Sequence, residues 1–518
     1  MNRMLKLSLA IFILTCTLTG CSVNPVTGAT EFSLVSAEQE VAIGTNNYAP
    51  SQQSQGGRYY IDPDLQIYIS DIGKKLAAVS DRPNLPYEFV LLNNSTPNAW
   101  ALPGGKIAVN RGLLLYLDDE AELAAVLGHE IVHAAARHSA AQMTRGTFIG
   151  LGAAAVSALG SSYGLSEVGS QAAQVGAAAW MAKYGRGDEL EADAYGMEYL
   201  AKAGYDPYGG VRVQEAFVKL SEGHQQDFLS GLLASHPPSQ ERVDANRIKA
   251  ASLPKGVKNR DRYQSKIAQI KRDKPAYAAE TEAIKALNAK DGNKALAQLD
   301  KAIKIQPNES SFWELRGHAW QMNKNPSNAE KAFTSAIGKN PDLFSPYLYR
   351  GILRFEQGNK TSAKTDLEKS QQLLPTPPAS YFLGEIALEG GENQQAIQYF
   401  QVAAQGSGVL AEKAAGQLAT LELATAPHKY ILSKVFLGDN GYLSIVVKNN
   451  SPVTVTDVQL ELSEMANAFL VGSTSSLRGP SRLEPGKQST IKTPIGPFKE
   501  TAEIAKYRVQ VVKVQVSD

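Results

Sequence analysis

Residues 118–138 read DDEAELAAVLGHEIVHAAARH, and this stretch decides how the first half of the chain folds. Asp118, Asp119 and Glu120 put three carboxylates where a helix N-terminus favours negative charge. The following run is rich in Ala and Leu, both good helix formers, and predicts a helix from 118 to about 143. On it His129 and His133 are four residues apart and share a face, so both imidazoles can reach one metal ion. Glu130 is angled aside, where a carboxylate can hold and deprotonate a water. Gly128 costs about 1 kcal/mol against alanine inside a helix, which predicts a neighbour packed close against it. Of seven histidines in 518 residues, His129, His133 and His138 lie on this segment.

A catalytic zinc site keeps three protein ligands and one open position, so a third ligand is required. Downstream, Asp188-Glu189-Leu190-Glu191-Ala192-Asp193 opens a second predicted helix, 188–203, on which Glu189 and Asp193 are again four apart. One carboxylate can bind the metal while the other supports a ligand imidazole from behind. Upstream, Tyr87 to Leu92 (YEFVLL) and Lys106 to Val109 (KIAV) read as strands, with a turn at Pro103-Gly104-Gly105. The stretch 98–105 (NAWALPGG), the motif HEIVH, the stretch ELEAD, and Ser235-His236-Pro237-Pro238-Ser239 with Arg242 follow one another in a telling order. Together they resemble the HExxH zinc peptidases that include the CAAX prenyl endopeptidases and the BepA-like periplasmic quality-control proteases.

The resemblance spans about 22–248 and implies one zinc ion per chain, bound by His129, His133 and Glu189. It implies Glu130 as general base and Asp193 as the group that orients a ligand histidine. Asn98 and Ala99 would lie on an edge strand that pairs with substrate backbone, a mode that demands no particular side chains. His236 and Arg242 would reach the cleft and stabilise developing oxyanion charge. In BepA-like members the histidine matching His236 can also fill the open zinc position and silence the enzyme. His138, His224, His318 and His428 match no motif and read as surface or structural residues.

The remainder of the chain sets the context. Length suggests about three domains, and 43% hydrophobic with 20% charged residues excludes wholesale disorder. Lys+Arg 52 against Asp+Glu 51 argues against a dedicated nucleic-acid binder. The two cysteines, Cys16 and Cys21, form no disulfide framework. Arg3, Lys6 and the apolar run Leu7 to Leu14 read as a secretory signal over 1–20. Its exit, Leu18-Thr19-Gly20-Cys21, resembles the lipobox of bacterial lipoproteins, which implies a lipidated Cys21 and a membrane anchor. Ser22 after the cysteine favours the periplasmic face of the outer membrane. Asn24-Pro25-Val26-Thr27-Gly28 is typical of lipoprotein members of the same peptidase family. Residues 21–57, rich in Ser, Gln, Asn and Gly, read as a tether. The stretch 146–166 carries no charge, and 146–182 reads as a helical hairpin packed on a peptidase domain, 58–248, rather than a membrane span. Residues 249–275 read as a basic linker.

A repeat follows. Ala295, Ala329 and Ala363 are 34 apart; so are Pro307, Pro341 and Pro375, and Ala283, Gly317 and Gly351. This resembles tetratricopeptide repeats, assigned here to 276–425 as a partner-docking solenoid. From 426 to 518, alternating β-branched segments with turns predict a β-sandwich, which departs from BepA-like members. The expected class is therefore α+β: a mainly helical HExxH zinc-peptidase domain with a small β-sheet, a tetratricopeptide solenoid and a C-terminal β-sandwich. The expected function is cleavage of unfolded or misassembled envelope proteins, with the repeats docking outer-membrane assembly machinery. The alternative is a chaperone or scaffold lipoprotein whose peptidase activity is minor or latched.

Overall fold

The computed structural model describes residues 21–145, 184–222, 235–467 and 470–517. The chain forms two compact units, Met1–Leu343 and Phe344–Asp518. The signal segment, the uncharged stretch expected as a helical hairpin and His224 lie outside the described residues. Among those described, no helix is long and apolar enough to cross a membrane.

The first unit is built on a three-stranded sheet, β3 (Glu88–Leu92), β5 (Lys106–Asn110) and β4 (Ala99–Leu102), in that order. β3 runs parallel to β5, and β4 antiparallel, with Ala99 opposite Val109. β4 thus forms an edge of this sheet. The turn joining β4 to β5 holds Gly104 and Gly105 at φ of 75° and 84°, a conformation glycine adopts without the clash a Cβ brings. Helices α2 (Pro63–Ala77) and α3 (Glu120–Ala135) pack against the sheet through one core that includes Leu65, Ile69, Leu76, Leu91, Ile107, Leu123, Leu127 and Ile131. Asp119 caps α3 by accepting from the Glu122 N–H, and Arg212 ties Asp119, Glu122 and Asp206 at 2.8–3.0 Å.

Three expectations change here. The single helix from 118 to 143 is two: α3 ends at Ala135, Arg137 takes a left-handed φ of 66°, and 138–145 is helical again. The region 21–57 is not a bare tether. It contains a hairpin, β1 (Cys21–Val23) with β2 (Thr30–Phe32), and a helix α1 (Ala37–Ser54) capped by a Ser36/Gln39 box. The buried face of α1 is Glu40, Gly44, Tyr48 and Ser51, a helical stripe with little hydrocarbon, which composition does not reveal. Nor is 249–275 a free linker: Tyr263, Ile267 and Ile270 join the core of the first unit, and Tyr263 OH donates to Leu114 O at 2.7 Å.

Helices α4 (Arg186–Lys202), α5 (Tyr208–Glu222), α6 (Gln240–Ala251) and α7 (Arg260–Lys266) complete this part. The unit then continues into repeat helices α8 (Ala268–Asn288), α9 (Gly292–Ile305), α10 (Ser310–Met322) and α11 (Pro326–Lys339). Tyr60 OH donates to Asn308 O at 2.8 Å, Asn93 Nδ2 to Glu309 Oε1 at 2.9 Å, and the Arg111 guanidinium lies over the Tyr277 ring.

The second unit begins with α12 (Phe344–Glu356), α13 (Lys360–Leu373), α14 (Pro377–Glu389), α15 (Asn393–Ala403) and α16 (Val409–Leu423). A Cβ on Gly351 would meet Leu367 at 2.8 Å, so the small-residue column of the repeat marks where paired helices close on a large side chain. Two antiparallel sheets follow. One is β11 (Gln488–Lys492), β7 (Leu443–Asn449) and β6 (Ile431–Leu437); the other centres on β8 (Val455–Met465), flanked by β9 (Val471–Arg478), β10 (Arg482–Leu483) and β12 (Tyr507–Val516). They enclose one apolar cluster of Leu443, Ile445, Val447, Val458, Leu460, Leu462 and Val511. The α+β class holds.

Candidate metal centre

Helix α3 crosses α4 at a point where neither has a side chain. A Cβ on Gly196 would lie 3.1 Å from His129 N, and one on Gly128 would lie 3.1 Å from Gly196 O. This is the close neighbour that Gly128 predicts. On α4 the residues Glu189, Asp193 and Gly196 form one stripe, so the crossing brings both carboxylates to the histidine face of α3.

His129 Nε2 and His133 Nε2 face each other at 3.0 Å, and each lies 3.5 Å from an oxygen of Glu189. His236 Nδ1 completes the group, 2.9 Å from Glu189 Oε1 and 3.3 Å from His129 Nε2. One ligand atom from each of His129, His133, Glu189 and His236 lies within 4.8 Å of the others, and all four residues are buried. Imidazole lone pairs and a carboxylate converging away from water repel one another unless a cation or protons stand between them. The donor set is one that a divalent metal ion fits.

The surroundings fix these groups. Asp193 Oδ1 meets His129 Nδ1 at 2.9 Å, so a proton held there leaves the Nε2 lone pair facing inward. Arg242 grips Asp193 with Nε and Nη2, both at 2.7 Å, while Nη1 meets Glu189 Oε2 at 2.7 Å and Pro237 O at 3.1 Å. All three nitrogens of the guanidinium lie against these acceptors, so Arg242 orients the carboxylates, and it also lines the cavity beside the site. Burial alone would raise the Asp193 carboxyl, but Arg242 and His129 outweigh it and hold it below its ordinary value. Burial pushes His129 down, yet Asp193 and Glu189 carry it upward on balance. Burial drives His133 down. Glu130 is buried, its carboxyl raised by desolvation against the pull of His236 and His129, and its Oε2 has no hydrogen-bond partner among the described residues. Its Oε1 lies 3.5 Å from His236 Nε2.

A cavity beside these residues is lined by Ala99, Val126, Val213, Phe217, His129 and Glu130. Ala99 begins edge strand β4, and the Asn98 carbonyl accepts from Asn110 N–H at 2.9 Å. The structure therefore gathers His129, Glu130, His133, Glu189, Asp193, His236, Arg242 and Ala99 at one place.

Sequence reasoning missed two groups. Tyr184 stacks on the His133 ring at 3.8 Å. His138, read as surface or structural, is 2% exposed and faces His133 Nδ1 at 2.9 Å. The left-handed turn at Arg137 returns it to the site, and no helical spacing signals that. His318 packs on Phe333, and His428 is exposed.

The family profile "Peptidase family M48" matches residues 63–249, and "Tetratricopeptide repeat" matches 348–409. The metalloprotease YcaL of Escherichia coli is 34% identical over 189 residues, 35% of this chain and 72% of that protein. The chain belongs to peptidase family M48. Further relatives include a beta-barrel assembly-enhancing protease of Yersinia pestis, 30% identical over 239 residues, 44% of this chain and 47% of that protein. The mitochondrial metalloendopeptidase OMA1 of Schizosaccharomyces pombe is 30% identical over 225 residues, 42% of this chain and 63% of that one. The chain thus spans about half the length of the assembly-enhancing proteases it matches. The M48 match covers α2 to α6 and every residue of the metal centre.

Proposed function

We propose that this protein is a zinc-dependent endopeptidase of the bacterial envelope. It acts on unfolded or misassembled outer-membrane proteins, is anchored through a lipidated Cys21 at the periplasmic face of the outer membrane, and uses its repeats to dock partners. The observation that carries the chemistry is the convergence of His129, His133 and Glu189, with a buried Glu130 beside them, one oxygen unpartnered among the described residues. These three residues would hold the ion, which when bound polarises a scissile carbonyl and acidifies a water. Glu130 takes the water's proton and delivers it to the leaving amine; its burial, which favours the protonated form, suits that second task. Asp193, fixed by Arg242, keeps His129 turned so that Nε2 faces inward. Strand β4, an edge of the sheet among the described residues, would pair at Ala99 with a substrate strand, which suits clients that share no sequence.

The site of action rests on the lipobox-like Leu18-Thr19-Gly20-Cys21 and on the assembly-enhancing relatives. A second reading, a scaffold whose peptidase is held shut, is favoured by His236, whose Nδ1 stands among the ligand atoms and whose Nε2 faces the base. Glu130→Gln separates the two. It should retain about one zinc per chain and lose cleavage of an unfolded barrel protein by at least about 100-fold. Full biological activity in that variant would favour the scaffold, and cleavage at the wild-type rate would reject the peptidase assignment.

A further inference from the structure

We infer that His138 and Glu191 form a hydrogen-bonded relay that sets the orientation of the ligand His133, and that Asn24, from the amino-terminal hairpin, secures its outer end. The inference rests on the metal reading above and extends it to residues outside the four-residue cluster.

The relay has a determined direction. Glu191 Oε1 lies 3.3 Å from His138 Nε2, and an ionised carboxylate only accepts, so His138 carries its proton on Nε2. In a neutral imidazole, Nδ1 is then a lone pair. That lone pair faces His133 Nδ1 at 2.9 Å, so His133 must be the donor there. A His133 protonated on Nδ1 has its Nε2 lone pair free, and Nε2 is the atom that faces His129 and Glu189. Both histidines of the HEIVH motif are thus oriented from behind: His129 by Asp193 directly, His133 by Glu191 through a second imidazole. An acceptor on the outer nitrogen also makes the inner one a stronger ligand.

Asn24 closes the chain. It is 2% exposed, although it lies in the Ser- and Asn-rich stretch read as a tether. Its Nδ2 donates to Glu191 Oε1 at 2.9 Å and to Glu31 Oε1 at 3.2 Å. Its Oδ1 accepts from the N–H groups of Val26 at 2.9 Å and Thr27 at 3.3 Å, which folds the turn of the β1–β2 hairpin. The hairpin is held to the same corner by Arg137, which donates to Ser22 Oγ, to Val35 O at 2.6 Å and to Glu40 Oε2 at 3.0 Å. Leu34 N–H reaches Thr144 Oγ1 at 3.0 Å. The segment following Cys21 therefore reaches the outer end of the relay behind His133 through Asn24.

The test is metal affinity of the full-length protein, measured by competition for zinc against a chromophoric chelator, with kcat and KM at saturating zinc. His138→Ala should weaken zinc binding by about 10–100-fold. His138→Asn, whose amide oxygen can replace Nδ1 as acceptor, should recover most of the loss. Glu191→Gln keeps the shape and should weaken binding less than His138→Ala. Asn24→Asp keeps the Oδ1 acceptor that folds the turn but sets a carboxylate against Glu31 and Glu191. It should weaken zinc binding while circular dichroism stays unchanged, whereas a purely structural asparagine would leave affinity alone. At saturating zinc KM should be unchanged. Wild-type affinity in both His138→Ala and Glu191→Gln overturns the relay while leaving the metal reading intact. A wild-type protein that binds no zinc overturns both.

Discussion

Where α3 crosses α4, Gly128 meets Gly196 backbone to backbone; where α10 crosses α11, Gly317 meets the ring of Phe333, with a Cβ on the glycine only 2.4 Å from it. Both crossings use a small residue to let helices close, but they bury different things. The repeat crossing buries hydrocarbon: Phe312 and Ala319 on one helix and Ala329, Phe333 and Ala336 on the other are fully buried, and closeness there adds van der Waals contact. The α3–α4 crossing gathers His129, His133, Glu189 and His236 with Glu130, Asp193 and Arg242, and closeness there sets distances between charges. A small shift in the repeats costs packing. The same shift in the peptidase costs geometry, to which metal binding is far more sensitive.

That contrast can be broken by placing side chains at the two crossings. Gly196→Val would push against His129 N and should displace Glu189 and Asp193. Zinc affinity is expected to fall by more than about 100-fold, measured by the same competition, with the thermal transition falling in parallel. A variant that keeps wild-type affinity would show that the crossing distance does not set the site. Next in size is His236→Ala. If the open state is populated at about 10% or less, removing the imidazole should raise cleavage of an unfolded protein by about 10-fold. A lower rate with unchanged zinc content would mean that His236 supports the reaction rather than restrains it. The smallest effect on function belongs to Gly317→Ala. Overpacking against Phe333 should cost about 1–3 kcal/mol of stability, read by denaturant unfolding, and leave zinc affinity untouched. Loss of zinc there would join the two crossings into one cooperative element.

The crossings also divide what was legible in the sequence. Spacing alone places His129 with His133 and Glu189 with Asp193, because four residues on a helix is a rigid ruler. It places the repeat columns for the same reason. His138 escaped because the ruler stops at Arg137, where the backbone turns left-handed. Glu191 is only two positions from Glu189, a spacing that does not share a helix face, so its link to the site runs through His138 and Asn24 rather than along α4. Arg242 was brought to the site by its motif, but its grip on Asp193 was not legible there. A sequence shows that a cation arrives, not which acceptors its nitrogens meet. Helix α1 was lost for a different reason: its inward face is Glu, Gly, Tyr and Ser, which no hydrophobic pattern records.

Tyr60, Asn93 and Arg111 bear on how such chains are assembled from parts. These three side chains, all upstream of α3, reach Asn308, Glu309 and Tyr277 in the first repeats. Tyr277 OH also donates to Glu309 Oε2 at 2.8 Å, and Gln53 Nε2 donates to Asp342 O at 2.7 Å. A cut at the apparent linker near 275 would strip partners from buried polar groups and leave the peptidase with a raw, sticky face. A cut after Leu343 follows the boundary that the packing itself draws. Anyone exchanging repeats between members of this family would do better to treat the first four repeat helices as part of the enzyme's own body, and to graft only beyond them.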